Sequence, residues 1–324
     1  MLEIEVWSRG AAFAYSIIYE YAFETILRES ARLHEEFMIP AGISVAARQI
    51  GQMHNDPSGP YHMVCRHLNL DELGRLLAKG WTVNSRGLAC FWRGAGIEEN
   101  VAVSRAMISE ATGTEVTAFV ADADCGELVS LGAVARQNGY LSLFSRMDYL
   151  NHAGDDLMCL GRTPLIEEGP PPWRRRFDPY DRLALARDQR GWLVDTVKRV
   201  GREIIHPEGE ITVGSLVRRF EKIREAGGGR AWCAAPEAVA DYILVRRATK
   251  LVVGPGSAEG SEYALSVGEL DPRVSRRTLT FRLSGLSGGK DRKRVIRNLT
   301  DRTEIQPYRV EDDSLLFDVE VSDG

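Results

Sequence analysis

Through the first 250 residues, short apolar runs alternate with stretches whose apolar residues recur every three or four positions. Phe13–Tyr19 (FAYSIIY) is rich in aromatic and β-branched residues, the composition of a buried strand. Phe23, Ile26, Leu27, Ser30, Leu33 and Phe37 then follow at helical spacing, and Pro40 ends that helix. Ala41–Ala46 reads as the next strand. Asn69–Lys79 is a predicted helix with Asp71 and Glu72 in its first turn, Leu73, Leu76 and Leu77 facing inward, and Gly80 as its stop. The alternation continues through strand Trp81–Val83, helix Glu98–Thr112, strand Val116–Val120, helix Glu127–Asn138 and strand Tyr140–Phe144. It resumes with strand Trp192–Val197, a helix around Leu216–Glu225, strand Ala231–Ala234 and helix Pro236–Arg246.

Repeated strand–helix units with short connections predict parallel strands surrounded by helices. Between them, Gly161–Tyr180 contains three consecutive prolines, Pro170–Pro172, and reads as a surface loop excursion. After about Ala248 helical periodicity stops. Leu251–Val253, Tyr263–Val267, Thr278–Leu283, Val295–Ile296, Ile305–Val310 and Leu315–Val321 are short strands among Gly, Ser, Asp and Pro clusters. The expected organisation is an α/β domain over 1–249 and a small all-β sandwich over 250–324.

Composition narrows the function classes. A chain of 324 residues with 44% hydrophobic and 27% charged residues is ordinary for a globular protein with a substantial core. The net charge of -5 gives no reason to expect nucleic acid as a partner. The basic run Lys290, Arg292, Lys293, Arg294 and Arg297 is diluted by Asp291 and Asp301 and reads as a solvated charge run. Cys65, Cys90, Cys125, Cys159 and Cys233 form no CxxC pair, so neither a zinc ribbon nor a disulfide framework is suggested. No window approaches 18 uninterrupted apolar residues, and MLEIEVWSRG lacks an apolar signal core. No membrane partner is expected, and the expected location is cytoplasmic. Neither a Gly-rich phosphate loop nor an HExxH or Ser-His-Asp signature occurs.

Five adjoining segments, in order, resemble the NodB-homology domain of the polysaccharide deacetylases (carbohydrate esterase family 4). AAFAYSIIYEYAFETIL is similar to that family's first motif, an apolar strand running into Thr-Phe-Asp-Asp-Gly. LDELGRLLAKGWTVNSRGLAC resembles its second region, a helix followed by Gly-His-Glu-Ile-Gly and His-x-x-x-His. ENVAVSRAMISEATGTEVTAFVADADCGE, ARQNGYLSLFS and GGRAWCAAPEAVADYILVR resemble the segments that follow, so the likeness covers roughly residues 5–250. It implies a distorted (β/α) barrel of NodB-homology type and a role in carbohydrate metabolism, with a carbohydrate or other polar small molecule as ligand.

The resemblance also shows where this chain departs. In the family one aspartate is the general base, its neighbour and two histidines hold a divalent metal, and a later histidine is the general acid. Here the first pair falls on Glu20 and Tyr21, and the two histidines on Arg86 and Cys90. A phenol that is protonated at neutral pH is a poor zinc ligand, and a guanidinium repels a cation. One cysteine does not make a site. The third motif is replaced by Val120, Ala121, Asp122, Ala123, Asp124, Cys125 and Gly126. The late histidine would fall near Val197 or Lys198; His206 is its nearest substitute, though a loop position fits it better. No cofactor or metal is therefore expected.

The charged residues left at the barrel mouth are Glu20, Arg86, Asp122 and Asp124, and internal pairing is favoured over a ligand pocket. Tyr21, Cys90, Trp173 and His206 are the candidate binding residues. Of Trp7, Trp81, Trp92 and Trp173, the last stands beside Arg174–Arg176 and is the one expected to be exposed, whereas Trp81 is expected in the core. His62 and His67 flank Cys65 without a fourth ligand nearby.

Three functions stay open. The first is a non-hydrolytic homologue, a pseudoenzyme acting as a carbohydrate-binding or regulatory subunit beside an active paralogue or as a homo-oligomer. The second is a repurposed, metal-independent enzyme with Glu20 as general base and Arg86 as anion stabiliser; retained chemistry of the family's kind would make it a hydrolase of non-peptide C–N bonds. The third is an interaction or oligomerisation protein working through the β-sandwich.

Overall fold

The structure, a computed structural model, describes all residues except 90–95, 123–124, 168–180, 207–208, 255–261, 286–295, 299–302, 312 and 322–324. It divides the chain into two compact units, Phe13–Ala240 and a second made of Met1–Ala12 with Asp241–Gly324.

The larger unit is built on parallel strands β2 (Phe13–Tyr19), β3 (Gly42–Val45), β4 (Thr82–Ser85), β5 (Ala118–Val120), β6 (Ser142–Phe144), β7 (Thr163–Pro164) and β8 (Trp192–Val197), in the order β6-β5-β4-β3-β2-β8-β7. Every residue of β2 is buried, as its largely apolar sequence suits for a strand covered on both faces. Along one edge it pairs with β8 from Ala14 to Tyr19. Along the other, its first half pairs with β11 (Ala231–Cys233) and its last residues, Ile18 and Tyr19, pair with β3. Two strands sharing one edge is the distortion in this barrel.

The ring is closed between β6 and β8 by residues 157–165. The Leu160 N–H donates to Leu143 O at 2.9 Å and the Ser145 N–H to Leu160 O at 2.7 Å. Thr163 then pairs with Asp195, and the Leu165 N–H donates to Thr196 O at 2.8 Å. The first part of the excursion expected over Gly161–Tyr180 is instead barrel wall, with Leu160, Arg162, Thr163 and Leu165 buried, and its remainder from 168 lies outside the described residues. Closure satisfies the exposed edges that β6 and β8 would otherwise present.

Helices α1 (Ala31–Phe37), α2 (Leu70–Leu77), α3 (Ile97–Thr112), α4 (Cys125–Gln137), α5 (Arg182–Asp188) and α6 (Val213–Gly227) connect the strands. The helix expected from Phe23 opens as a π-turn over Ile26–Ser30. It stops at Met38 in the left-handed conformation, two residues before Pro40. Asn69 and Glu72 form a reciprocal capping box on α2, whose Leu73 and Leu76 are buried. Thr212 caps α6, and the Glu167 carboxylate accepts from the Thr212 N–H at 2.6 Å and the Ser215 hydroxyl at 2.6 Å. Two short strands that the periodicity does not announce, β9 (Arg199–Gly201) and β10 (Glu210–Thr212), pair with each other after β8.

The second unit is antiparallel. Its four-stranded sheet has the order β1-β14-β18-β17, using β1 (Leu2–Ile4), β14 (Thr278–Leu283), β17 (Arg309–Glu311) and β18 (Ser314–Glu320). Two-stranded ribbons join β12 (Thr249–Val253) to β13 (Tyr263–Val267) and β15 (Ile296–Arg297) to β16 (Glu304–Ile305). The segment expected as one strand, Ile305–Val310, ends and restarts around Pro307, which has no N–H for a ladder. The N-terminal residues, expected with the barrel, contribute β1 to this sheet instead, and buried Glu5 pairs with Arg282. Helix α7 (Pro236–Ala248) carries the chain from one unit to the other.

Candidate functional site

Alternation along β2 and β8 assigns each side chain to one of two layers. Tyr15 and Asp195 point toward α6, where Arg219 donates to both carboxylate oxygens of Asp195 at 2.7 and 3.0 Å and the Tyr15 hydroxyl adds a third bond at 2.8 Å. Tyr19 reaches α1 through a 2.8 Å bond between its hydroxyl and His34 Nε2. Ser16 and Trp192 face the other way, the indole N–H donating to Ser16 Oγ at 3.1 Å. Glu20 and Thr196 continue this inner set to the C-terminal ends of the strands, where a parallel barrel places its functional groups.

Four charged side chains meet there. Glu20 leaves β2 with its N–H bonded to Val197 O, Arg86 leaves β4 with its N–H bonded to Val45 O, and Asp122 follows β5. Arg162 stands just before β7 and is 1% exposed. One Arg162 Nη binds Glu20 Oε1, while the other donates to Ala121 O at 2.9 Å and to Asp122 Oδ1 at 3.4 Å. Thr196 Oγ1 donates to Glu20 Oε1 at 3.2 Å. The second oxygen of Asp122 is bonded by Arg86. The result is a chain of alternating sign, Glu20–Arg162–Asp122–Arg86, with two positive and two negative groups.

Its members differ in access to water. Side-chain exposure is 3% at Arg86 and 1% at Arg162, but 40% at Asp122. Burial pushes the Arg162 guanidinium down to about 9, which leaves it charged at neutral pH. Its Nε is buried without a partner among the described residues. Removing Glu20 would strand this cation, an error that costs about 3–5 kcal/mol for a buried pair. Losing a two-fifths exposed partner such as Asp122 costs about 1 kcal/mol or less.

Beyond Arg86 the site is aromatic. The guanidinium carbon of Arg86 lies 4.6 Å from the centroid of the Tyr21 ring. That cation–π contact is worth about 2 kcal/mol in a desolvated setting. Tyr21 stacks on Phe23, with ring centroids 5.1 Å apart, and both join a buried cluster with Ala46, Tyr61 and Cys65. The excursion after β3 delivers Tyr61 and Cys65: the His54 N–H donates to Cys65 O and the Met63 N–H to His54 O, folding 53–66 back on itself. This fold brings His54 Nδ1 to 3.1 Å from His67 Nε2. Burial lowers both imidazoles, His67 to about 3, so the pair is neutral at physiological pH. His67 thus meets His54 rather than joining His62 and Cys65 as a ligand set.

The residues present do not fit the metal of the resembled family. The two ligand positions that can be compared carry a phenol and a guanidinium stacked on each other, and a cation placed among them would face Arg86. Among the described residues, no group of three or more His, Cys, Asp and Glu side chains is arranged to hold a metal ion. Among the described residues, no helix is long and apolar enough to cross a membrane.

The structure brings together Glu20, Tyr21, Arg86 and Asp122. Cys90, Asp124 and Trp173 lie outside the described residues. His206 is half-buried between β9 and β10, while Trp7 and Trp81 are buried. Arg162 and Thr196 were not among the expected site residues. Arg162 left one trace in the sequence: the expected site held three carboxylates against a single guanidinium, so another cation was owed.

No protein-family model and no curated protein matches the chain. Solved structures with a similar fold include a probable polysaccharide deacetylase from Pseudomonas aeruginosa PAO1, 13% identical with a TM-score of 0.49, covering 74% of this chain and 93% of that one. Puue Allantoinase is 15% identical with a TM-score of 0.46, over 74% of this chain and 92% of that one. IcaB from Ammonifex degensii is 15% identical with a TM-score of 0.38, over 45% of this chain and 65% of that one.

Proposed function

We propose that this protein is a non-hydrolytic, polysaccharide-deacetylase-like protein of carbohydrate metabolism, serving as a saccharide-binding or regulatory subunit. The observation that carries this reading is the contact between Arg86 and Tyr21. Two positions that the family resemblance assigns to metal ligands are spent on each other, and Arg86 is tied further to Asp122. The candidate base is occupied as well: one oxygen of Glu20 takes bonds from Arg162 and Thr196, and the residue is 7% exposed. A carboxylate held this way is neutralised by a buried cation and has little access to bulk water, which makes it a poor general base.

Incubation with an N-acetylglucosamine oligomer, with and without added Zn²⁺, Co²⁺ or Mn²⁺, is expected to release no acetate above buffer. Calorimetric titration of the same oligomer is expected to show saturable binding without turnover. Metal-stimulated acetate release would overturn the reading.

One observation favours a second reading, a metal-independent enzyme at the same mouth. Asp122 is exposed while touching both arginines, so the charged chain does reach solvent. In that mechanism Glu20 takes a proton from substrate and Arg86 stabilises the resulting anion. Unchanged turnover of a confirmed substrate by Glu20→Gln would remove it.

A further inference from the structure

We propose, resting on the saccharide-binding reading of this mouth, that Arg86 and Arg162 form a seat for the carboxylate of an acidic sugar, with Asp122 as its internal stand-in. Both guanidinium groups are buried, and both aim at one carboxylate, which gives one oxygen to each. Such a two-guanidinium arrangement matches the planar geometry of a carboxylate. The carboxylate that fills it is 40% exposed, whereas the other anion of the chain, Glu20, is enclosed. An exposed partner exchanges with solvent and solutes readily; an enclosed one does not. Asp122 is therefore the replaceable member.

Charge decides the ligand class. A ligand carboxylate replaces Asp122 with the same single charge and the same two oxygens, whereas a phosphate dianion brings one charge more. Arg162 Nε, buried and without a partner among the described residues, gives an incoming carboxylate one more donor than Asp122 now engages. A neutral sugar gains nothing at this seat, because it brings no charge to replace the one that Asp122 withdraws from the two guanidinium groups.

The probes are glucuronate, glucose and lactate, titrated calorimetrically at fixed ionic strength into wild type and Asp122→Ala. Glucuronate is expected to bind Asp122→Ala about tenfold more tightly than wild type. Glucose affinity should be the same in both proteins, and lactate should bind more weakly than glucuronate. Arg86→Gln introduced into Asp122→Ala should remove the gain. Asp122→Asn, nearly isosteric, substitutes for Asp122→Ala if circular dichroism shows the latter to be unfolded, and it should show a gain of the same sign. Unchanged glucuronate affinity in the folded variants, an equal gain for glucose, or lactate binding as tight as glucuronate overturns the proposal. The two failures separate: acetate release by wild type sinks the non-hydrolytic reading, whereas a flat titration in a protein that releases no acetate sinks the seat alone.

Discussion

Asp195 and Thr196 are neighbours on one strand, and they belong to two ionic clusters of opposite character. Asp195 turns outward to Arg219 and Tyr15, in a bidentate pair whose side chains are 0% and 1% exposed. Thr196 turns inward to Glu20 and Arg162, in a chain that ends on an exposed carboxylate. The outer cluster closes on itself: each carboxylate oxygen of Asp195 accepts a bond, and both charged side chains are enclosed. The inner cluster stays open at Asp122. Burial of charge alone does not mark a functional site; a buried charge whose partner can leave does.

The comparison breaks most sharply at Arg219. Arg219→Met is expected to lower stability by about 3–5 kcal/mol, read from urea unfolding, because Asp195 and Tyr15 stay buried without their cation. Glucuronate affinity, measured under conditions where the variant is folded, should not follow that loss. Arg162→Met should cost somewhat less, about 3 kcal/mol, since Thr196 still serves Glu20, and it should abolish glucuronate binding.

Acid titration probes both layers at once. Burial lowers His34, on the outer side, to about 4, and His67, at the mouth, to about 3. Folded values below the unfolded 6.5 mean that both groups contribute stability above pH 6.5 and lose it as pH falls toward those values. The expected loss is at most about 3 kcal/mol for His34 by pH 4, checked by urea midpoints between pH 7 and 4. His34→Gln should flatten part of that slope. The smallest effect belongs to Asp122→Asn, expected to change stability by about 1 kcal/mol or less despite touching both arginines. A loss near that of Arg162→Met would show Asp122 to be a structural member of the chain and erase the contrast between the clusters.

Local pattern carried much of the barrel. The aromatic and β-branched run of β2 and the acidic first turn of α2 are each decided within a few residues, and the sequence shows them. Closure was hidden. Residues 157–165 are barrel wall because β6 and β8 present unpaired edges to them, and nothing in CLGRTPLI states that neighbour relation. The strand contributed by Leu2–Ile4 was hidden for the same reason: three residues carry too little periodicity, and their partner lies at Phe281–Leu283.

The candidate site divides along the same line. That Tyr21 and Arg86 are unsuited to hold a metal follows from their chemistry and was readable from residue identity. That they stack on each other, that Glu20 is held by Arg162, and that Asp122 alone of the four faces water are relations between strands. The sequence by itself determined the alternating strands and helices, the all-β tail and the mismatch with metal chemistry, because each depends on residue type and short-range spacing. Only the tertiary structure decided which charges are paired and which one is exchangeable, because pairing across 142 residues from Glu20 to Arg162 is set by barrel closure and burial, not by local propensity.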